Sequence, residues 1–416
     1  MNKQIIFPID DEAILNKVFS ENCVNPGIGG SQFATIILAL ALAKKHKNYD
    51  IWLLSRSPIK IQNRPKNLKQ ILIKEISLIK NEPFHSLNTV IISKDNEIEE
   101  LKSELLNKFV KYKIINWIHH PFQISNNFKH SIFSAHVSVG VYQYYSNFAW
   151  YKPHWHIPVI FNAPVVNYLK NKLYKPNESL RLVFLGALIP AKGFHYIAKS
   201  WPKILKHFPN AELHVIGSTE TYDGKRAQHK KIPTTNSYAK TILQYISEKD
   251  IKTRRVIFHG NLGKEKFKII KEAHFALLNP TGNTEAMPIS CLECLSCGTP
   301  VIASDDYGMG DFMRHFPELS VHKPDEILHK IISVTKNPSL YKRLKIRSLK
   351  FGKLYVKQKP RILVNWQQLI EAVLSNNIPK YNLPVEKFYG NRLTLISRII
   401  KTTLIIFFKK FKKKLW

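Results

Sequence analysis

The sequence is poor in cysteine, in acidic residues and in long apolar runs. Its 416 residues include four cysteines, and only 30 Asp and Glu stand against 63 Lys and Arg. Few cysteines in so long a chain, and an N-terminus without the pattern of a secretory signal, predict a reducing cytoplasm. No uncharged apolar stretch reaches the roughly 18 residues typical of a membrane-spanning helix, so none is expected.

The shortage of acids leaves a net charge of +33. An excess of this size favours an anionic partner, such as nucleic acid, an acidic membrane surface or a phosphorylated substrate. A genome-wide bias toward Lys, Ile and Asn would explain part of it. Nucleic acid is disfavoured, because no aromatic-interleaved RNA-binding motif accompanies the lysines.

Strand-like and helix-like segments alternate along the chain, which is typical of parallel sheets covered by helices. The alternation pauses in a polar stretch near residues 163–180 and then restarts. A chain of about 400 residues is longer than one hydrophobic core usually supports. We therefore predict an α/β protein with two doubly wound, Rossmann-like domains that face a cleft. The predicted domains are 1–165 and 178–350, and a helix near 355–374 is expected to cross back to the first domain.

The predicted strands of the first half are Ile5–Pro8, Ile51–Leu54, Thr89–Ile92, Ile114–Ile118, Val137–Tyr142 and Val159–Phe161. Those of the second half are Leu182–Leu185, Leu213–Ile216, Val256–Phe258, Ala276–Leu278 and Val301–Ala303. Two long helices are predicted at Ser31–Lys45 and Phe194–His207.

Two glutamates, Glu285 and Glu293, accompany the predicted start of a helix that follows a strand ending at Asn279. Pro288 suits the first turn of this helix, and Gly298 suits its C-terminal cap. The helix would begin at the carboxyl edge of a parallel sheet, where such folds bind ligands, and its free N–H groups could hold a diphosphate. Carboxylates accept hydrogen bonds from the hydroxyls of a sugar ring.

The stretch that begins at Glu285 resembles glycosyltransferase family 4, retaining enzymes of the GT-B architecture (glycosyl transferases group 1). The pattern is a glutamate, seven residues, a second glutamate and, after a small-residue segment, Gly298–Ile302. The resemblance implies that Glu285 contacts the donor sugar near the reacting centre and that Glu293 binds the ribose hydroxyls. The first residues of the helix are further expected donor contacts: Pro288, Ile289 and Ser290.

The segment from Leu182 to Gly193 resembles the strand and Lys-Gly loop of the same family. Family members usually have an Arg after the first glycine, and that Arg and the Lys neutralise the leaving diphosphate. Here Lys192 is present, whereas Ala187 occupies the position of the Arg. The resemblance therefore implies a catalytic role for Lys192, with one cation fewer than usual.

Two features of the first half resemble the acceptor-side domain of the family. The glycine loop Pro26–Gly30 would face the donor phosphates or the acceptor through Gly29 and Gly30, and a plain tight turn is the alternative. At the end of a predicted strand, His119 would touch the donor sugar from across the cleft, with His120 as the second candidate.

The resemblance also implies retention at the anomeric carbon without a metal ion or other cofactor. No Asp-x-Asp motif of the metal-dependent transferases occurs. The leaving phosphate would help to take the acceptor proton, so stabilising the departing diphosphate is the main electrostatic task. The donor would be a UDP- or GDP-sugar, whose base is expected near Gly260. Cys291, Cys294 and Cys297 have a metal-like spacing, but on a helix they would form one face of small residues packed against the sheet.

Residues 390–416 form a basic, acid-free tail whose apolar residues recur every three or four positions. We predict a helix in the membrane interface, and therefore a peripheral location on the inner face of the cell membrane. This location favours a glycan or lipid-linked acceptor of bacterial surface polysaccharide or lipopolysaccharide synthesis. A last helix packed on the first domain is the alternative.

Three other functions stay open on the sequence alone. A sugar epimerase or phosphorylase can share the architecture, although such enzymes lack the glutamate segment and the Lys-Gly loop together. A catalytically weak or inactive GT-B scaffold at the membrane is favoured by Ala187. A nucleic-acid binder rests on charge alone.

Overall fold

The computed structural model describes residues 2–9, 14, 16–72, 84, 86–94, 112–120, 133–147, 153–164, 178–220, 228–382, 396 and 400. The tail at 390–416, apart from residues 396 and 400, and most of the polar stretch near 163–180 lie outside these ranges. Within them, no helix is both long and apolar enough to cross a membrane.

The first half of the chain forms a parallel sheet of eight strands. The strands are β1 (Lys3–Ile9), β3 (Tyr49–Ser55), β5 (Leu68–Leu72), β6 (Thr89–Lys94), β7 (Lys113–Ile118), β8 (Ala135–Ser138), β9 (His154–His156) and β16 (Tyr381–Asn382). Their spatial order is β16-β9-β8-β7-β6-β1-β3-β5. Two short strands, β2 (Val18–Phe19) and β4 (Lys60–Ile61), pair separately with each other.

The second half forms a parallel sheet of six strands. They are β10 (Arg181–Leu185), β11 (Glu212–Ile216), β12 (Val256–Gly260), β13 (Phe275–Leu277), β14 (Val301–Ser304) and β15 (Ser320–Val321). The order β12-β11-β10-β13-β14-β15 reverses direction beside β10, so the loops after β10 and β13 flank a switch point where doubly wound folds bind ligands.

Eleven α-helices connect or follow these strands in the described residues. They are α1 (Gly30–Lys45), α2 (Val141–Asn147), α3 (Phe194–His207), α4 (Asn236–Leu243), α5 (Glu248–Lys252), α6 (Lys266–Glu272), α7 (Ile289–Ser296), α8 (Tyr307–Met313), α9 (Ile327–Thr335), α10 (Pro338–Val356) and α11 (Lys359–Leu374). Short 3₁₀ turns lie at Ser86–Asn88, Pro190–Lys192 and Pro324–Glu326.

Each sheet has its own hydrophobic core, and the chain crosses between them twice. Helix α10 packs on the second core through Leu344 and Tyr355. After a break at residues 357–358, α11 packs on the first core, where Trp366 is fully buried with its ring 5.1 Å from that of Trp117. The helix expected near 355–374 thus begins at Lys359 and is preceded by α10, which the sequence analysis did not identify.

The strands expected in the second half and both long helices form within one or two residues of the expected bounds. Two expectations in the first half are wrong. Val159–Phe161 is buried but not a strand, because a buried apolar connection has the same composition as a strand and Pro158 has no N–H for a ladder. The strand expected at Val137–Tyr142 ends at Ser138, and a helix begins at Val141.

Candidate active site

A cavity of about 480 Å³ lies between the two sheets and is lined by loops from both halves. Ten of the eleven residues selected from the sequence line it: Gly29, Gly30, His119, His120, Lys192, Glu285, Pro288, Ile289, Ser290 and Glu293. Gly260 does not; its carbonyl accepts a hydrogen bond from the Gly217 N–H at 2.8 Å. The two residues after it, Asn261 and Leu262, line the cavity instead.

Lys192 and Glu285 form an ion pair in this cavity. The Lys192 Nζ donates to Glu285 Oε1 at 2.8 Å, and the two side chains are 14 % and 11 % exposed. The residues meet because they follow β10 and β13, which are neighbours in the sheet. Asn279 joins the two loops, since its Nδ2 donates to the carbonyls of Ala191 at 3.2 Å and Asn283 at 2.9 Å.

Gly193 fixes the direction of the chain directly after Lys192. Its φ of +70° is left-handed, and it closes the 3₁₀ turn and precedes α3. A Cβ at this position would lie 3.0 Å from Pro280 Cδ and 3.1 Å from Asn279 Oδ1. The Lys-Gly pair therefore allows the lysine loop to approach the glutamate loop closely.

Glu293 pairs with a lysine that the sequence analysis did not select. Lys266 Nζ lies 2.7 Å from Glu293 Oε1, and the side chains are only 3 % and 6 % exposed. The same ammonium group donates to the carbonyl of Asn25 at 3.2 Å. Burial raises the pKa of Glu293, while the charge and hydrogen bond of Lys266 act in the opposite direction. Nothing local distinguishes Lys266 from the many other lysines of this chain.

Two helix N-termini face each other across the cavity. Gly29 is the N-cap of α1 and Pro288 is the N-cap of α7, so Pro288 lies one position before the first turn in which it was expected. A Cβ at Gly30 would lie 3.3 Å from Ile289 Cδ1. Neither first turn contains an acid, so the free N–H groups and the positive ends of both helix dipoles are available to an anion.

The glycine loop before α1 is held in shape by Asn25 and packs against the second half. Asn25 Oδ1 accepts hydrogen bonds from the N–H groups of Gly27 and Ile28, both at 2.9 Å. Gly27 has a φ of +89°, and a Cβ there would lie 2.8 Å from the carbonyl oxygen of Leu262. A side chain would therefore separate the two halves at this point.

The histidines reach the cavity from the carboxyl end of β7. The ring of His119 lies 4.5 Å from that of Trp117, which is itself packed on Trp366 of the crossing helix. The carbonyl of His120 accepts a hydrogen bond from Gln143 Nε2 at 2.7 Å. A further lining residue that the sequence analysis missed is Lys94, the last residue of β6, whose predicted strand ended at Ile92.

The cysteines of α7 are core residues. Cys291, Cys294 and Cys297 are fully buried in the second core, beneath the cavity. Burial raises the pKa of Cys297 to about 12 and that of Cys294 well above its usual value. Such thiols stay protonated, which suits packing better than metal ligation.

Part of the chain matches a known protein family. Residues 167–351 match the family model of the glycosyl transferases group 1. The chain is 22 % identical over 218 residues to the poly(glycerol-phosphate) alpha-glucosyltransferase of Bacillus subtilis, covering 51 % of this chain and 28 % of that protein. It is 23 % identical over 205 residues to an uncharacterized glycosyltransferase of Haemophilus influenzae, covering 48 % and 51 %. The chain thus spans about half or less of the length of the curated relatives it matches.

Solved structures show a similar fold over most of the chain. Sucrose-phosphate synthase from Thermosynechococcus elongatus has a TM-score of 0.61 at 14 % identity, with 90 % of this chain and 100 % of that chain covered. Anabaena HepE in complex with UDP has a TM-score of 0.56 at 11 % identity, again covering 90 % and 100 %. These likenesses confirm the expected GT-B fold of two Rossmann-like domains. The segment that matches the model of the glycosyl transferases group 1, residues 167–351, carries Lys192, Glu285 and Glu293.

Proposed function

We propose that this glycosyltransferase moves a sugar from a UDP- or GDP-sugar to an acceptor with retention at the anomeric carbon and without a metal ion. The observation that carries the proposal is the meeting of the Lys192–Glu285 pair, the buried Glu293 and two acid-free helix N-termini in one cavity. The solved HepE structure, which shares the fold, holds UDP.

The residues divide among the parts of such a donor. Glu293 would accept the ribose hydroxyls, and Glu285 and His119 would contact the sugar near the reacting carbon. Lys192 and the first N–H groups of α7, at Ile289 and Ser290, would stabilise the charge that develops on the departing diphosphate. The leaving phosphate would help to take the acceptor proton.

Turnover is tested by a hydrolysis screen over UDP- and GDP-sugars with the full chain. We expect at least one donor to be hydrolysed, and Glu285→Ala to lower that rate by about 100-fold or more. Glu248→Ala, at an exposed acid that does not line the cavity, serves as the matched control. No turnover by wild type and Glu285→Ala alike, with nucleotide binding retained, would favour the inactive scaffold instead.

We further propose that the acceptor is a glycan or lipid-linked molecule at an anionic membrane surface, in the synthesis of a bacterial surface polysaccharide or lipopolysaccharide. The basic tail supports this, and so does α10 in the described structure. No acid occurs between Glu326 and Glu371. One face of α10 and the residue after it expose a row of cations: Lys342, Arg343, Lys350, Lys353 and Lys357. Ile346 and Leu354 are exposed on the same face, at 44 % and 62 %.

Sedimentation with lipid vesicles tests the membrane proposal. We expect the full chain to sediment with vesicles that contain phosphatidylglycerol and not with neutral phosphatidylcholine vesicles. Removal of residues 390–416, or charge reversal of Lys342, Lys350 and Lys357 to Glu, should weaken this binding. Reversal of Lys199, Lys203 and Lys206, exposed on α3, makes the same charge change elsewhere and should have little effect. Equal binding by all variants would contradict the proposal.

A further inference from the structure

Lys266 is a buried cation in the candidate active site with no role in the mechanism described so far. It begins α6, whose residues form part of the second core, and it lines the cavity. Its neighbours Lys264 and Lys268 are exposed, so the burial of Lys266 belongs to this position and not to the segment. Its ammonium group contacts two groups, the Glu293 carboxylate of the second half and the Asn25 carbonyl of the first half.

Stability alone does not explain this arrangement. A buried ion pair recovers in Coulomb energy roughly what it loses in desolvation, and well-packed apolar side chains of similar volume are often as stable. A chain that needed only packing between α6 and α7 could use apolar residues at both positions. What the pair does provide is a fixed carboxylate, because the bond to Oε1 holds one oxygen and leaves Oε2 to accept further hydrogen bonds.

The link to Asn25 extends this fixation across the cleft. Asn25 also organises the glycine loop through the N–H groups of Gly27 and Ile28. The loop contacts the second half again at Leu262, which follows β12. One ammonium group therefore joins the carboxylate on α7 to the loop that places the N-terminus of α1 at the cavity.

We infer that Lys266 is a positioning residue for the donor: it orients the Glu293 carboxylate toward the ribose and anchors the glycine loop of the first domain against the second domain. The inference rests on the proposed function, in which Glu293 accepts the ribose hydroxyls. It adds that Lys266 acts through Glu293 and does not itself bind the nucleotide. It also assigns the recognition of the ribose, and not of the phosphates, to the Lys266–Glu293 pair.

The preference of the protein for a ribonucleotide over its dideoxy analogue distinguishes a role of Lys266 in ribose recognition from a role in phosphate binding. We would measure calorimetric binding of UDP, GDP and their 2′,3′-dideoxy forms to the full chain. A hydroxyl–carboxylate hydrogen bond contributes about 10- to 100-fold, so wild type should prefer the ribonucleotide by at least about tenfold. Lys266→Met should reduce that preference to below about threefold, while Lys264→Met and Lys268→Met should keep it.

Two further variants guard against misfolding. Lys266→Met leaves a buried carboxylate unpaired and can lower the melting temperature, so Lys266→Arg is included and should retain most of the preference. In a Glu293→Gln background the added Lys266→Met substitution removes both charges and should change the preference by less than about twofold. A further loss in that background would show that Lys266 acts independently of Glu293 and would overturn the inference.

The outcomes distinguish the inference from the proposed function. If Lys266→Met weakens ribose and dideoxy nucleotides equally and keeps the preference, Lys266 acts on the phosphates or on folding, and the inference is wrong while the role of Glu293 stands. If wild type shows no preference, the ribose role of Glu293 fails, and the inference fails with it.

Discussion

Asp311 provides a sharp test of how the two domains are joined. It lies on α8 of the second domain. Its two carboxylate oxygens accept hydrogen bonds, at 3.1 and 3.0 Å, from the N–H of Tyr142, which lies in the first turn of α2 in the first domain. Desolvation raises the pKa of Asp311 to about 7, although this N–H and the charge of Arg314 favour the ionised form. The carboxylate therefore titrates near neutral pH while it joins the two domains.

The sign of the pH effect follows from this raised pKa. An acid whose pKa is higher in the folded state favours folding most at low pH, and that contribution is lost as the pH rises from about 4 through about 7. A rise of the pKa from about 4 to about 7 corresponds to a free energy of unfolding of about 4 kcal/mol at most. A second cavity of about 460 Å³ reaches Asp311, and the partial exposure of this residue to solvent lowers the desolvation cost. The positive end of α2 also favours the charge, so we expect about 1–3 kcal/mol.

Urea unfolding of wild type and Asp311→Asn between pH 4 and pH 8.5 measures this contribution. The amide cannot ionise and keeps one oxygen as an acceptor for the Tyr142 N–H. We expect the variant to be equal to or less stable than wild type at pH 4, and to gain about 1–3 kcal/mol relative to it by pH 8.5. His156 and His315 line the same cavity and are present in both proteins, so only their interaction with the Asp311 charge contributes to the difference. A stability difference that does not change with pH would refute the reasoning.

Three further predictions concern the glycine loop, Lys192 and the crossing helix. Gly27→Ala places a Cβ against the second domain at a left-handed φ, so it should lower the free energy of unfolding by about 1–3 kcal/mol in thermal unfolding. Gly263→Ala, at an ordinary φ, is the control and should be nearly neutral. Equal effects of the two substitutions would contradict the close contact at Gly27. Lys192→Gln should lower the kcat of donor hydrolysis by about 100-fold or more with little change in nucleotide affinity, and an unchanged kcat would remove Lys192 from catalysis. Trp366→Ala should lower the free energy of unfolding in urea by about 3–5 kcal/mol, because it removes a fully buried side chain. Val364→Ala, at an exposed position of the same helix, should lower it by less than about 1 kcal/mol. Similar losses for the two variants would show that α11 does not anchor the first core.

The sequence was sufficient for the parts of the site that are local in the chain. Glu285, Glu293 and the start of α7 lie within one strand–loop–helix unit, where spacing and turn residues determine the arrangement. The approach of Lys192 to Glu285 depends on β10 and β13 being neighbours, which strand patterns do not reveal. The family resemblance supplied both residues, but the ion pair between them came from the fold.

The parts that could not be predicted depend on contacts between distant segments. Lys266 reaches Glu293 from another helix and Asn25 from the other domain, and no periodicity marks it. Gly260 was expected near the base of the donor, but its carbonyl accepts a hydrogen bond from Gly217, and the next two residues line the cavity instead. A local pattern gives the end of a strand to within a residue or two, and this uncertainty is enough to change which side chain faces the ligand.

The charged side chains that line the cavity nearly balance one another, although the chain as a whole is strongly basic. Its lining contains Lys94, Lys192 and Lys266 against Glu285 and Glu293, an excess of one positive charge. A nucleotide diphosphate carries more negative charge than this, so under the proposed function the N-termini of α1 and α7 would also contribute to its stabilisation. A sugar hydroxyl that hydrogen-bonds to Glu285 would compete with Lys192 for that carboxylate. On this proposal, Lys192 would become available to the diphosphate once the sugar is in position, which would link leaving-group stabilisation to correct donor binding.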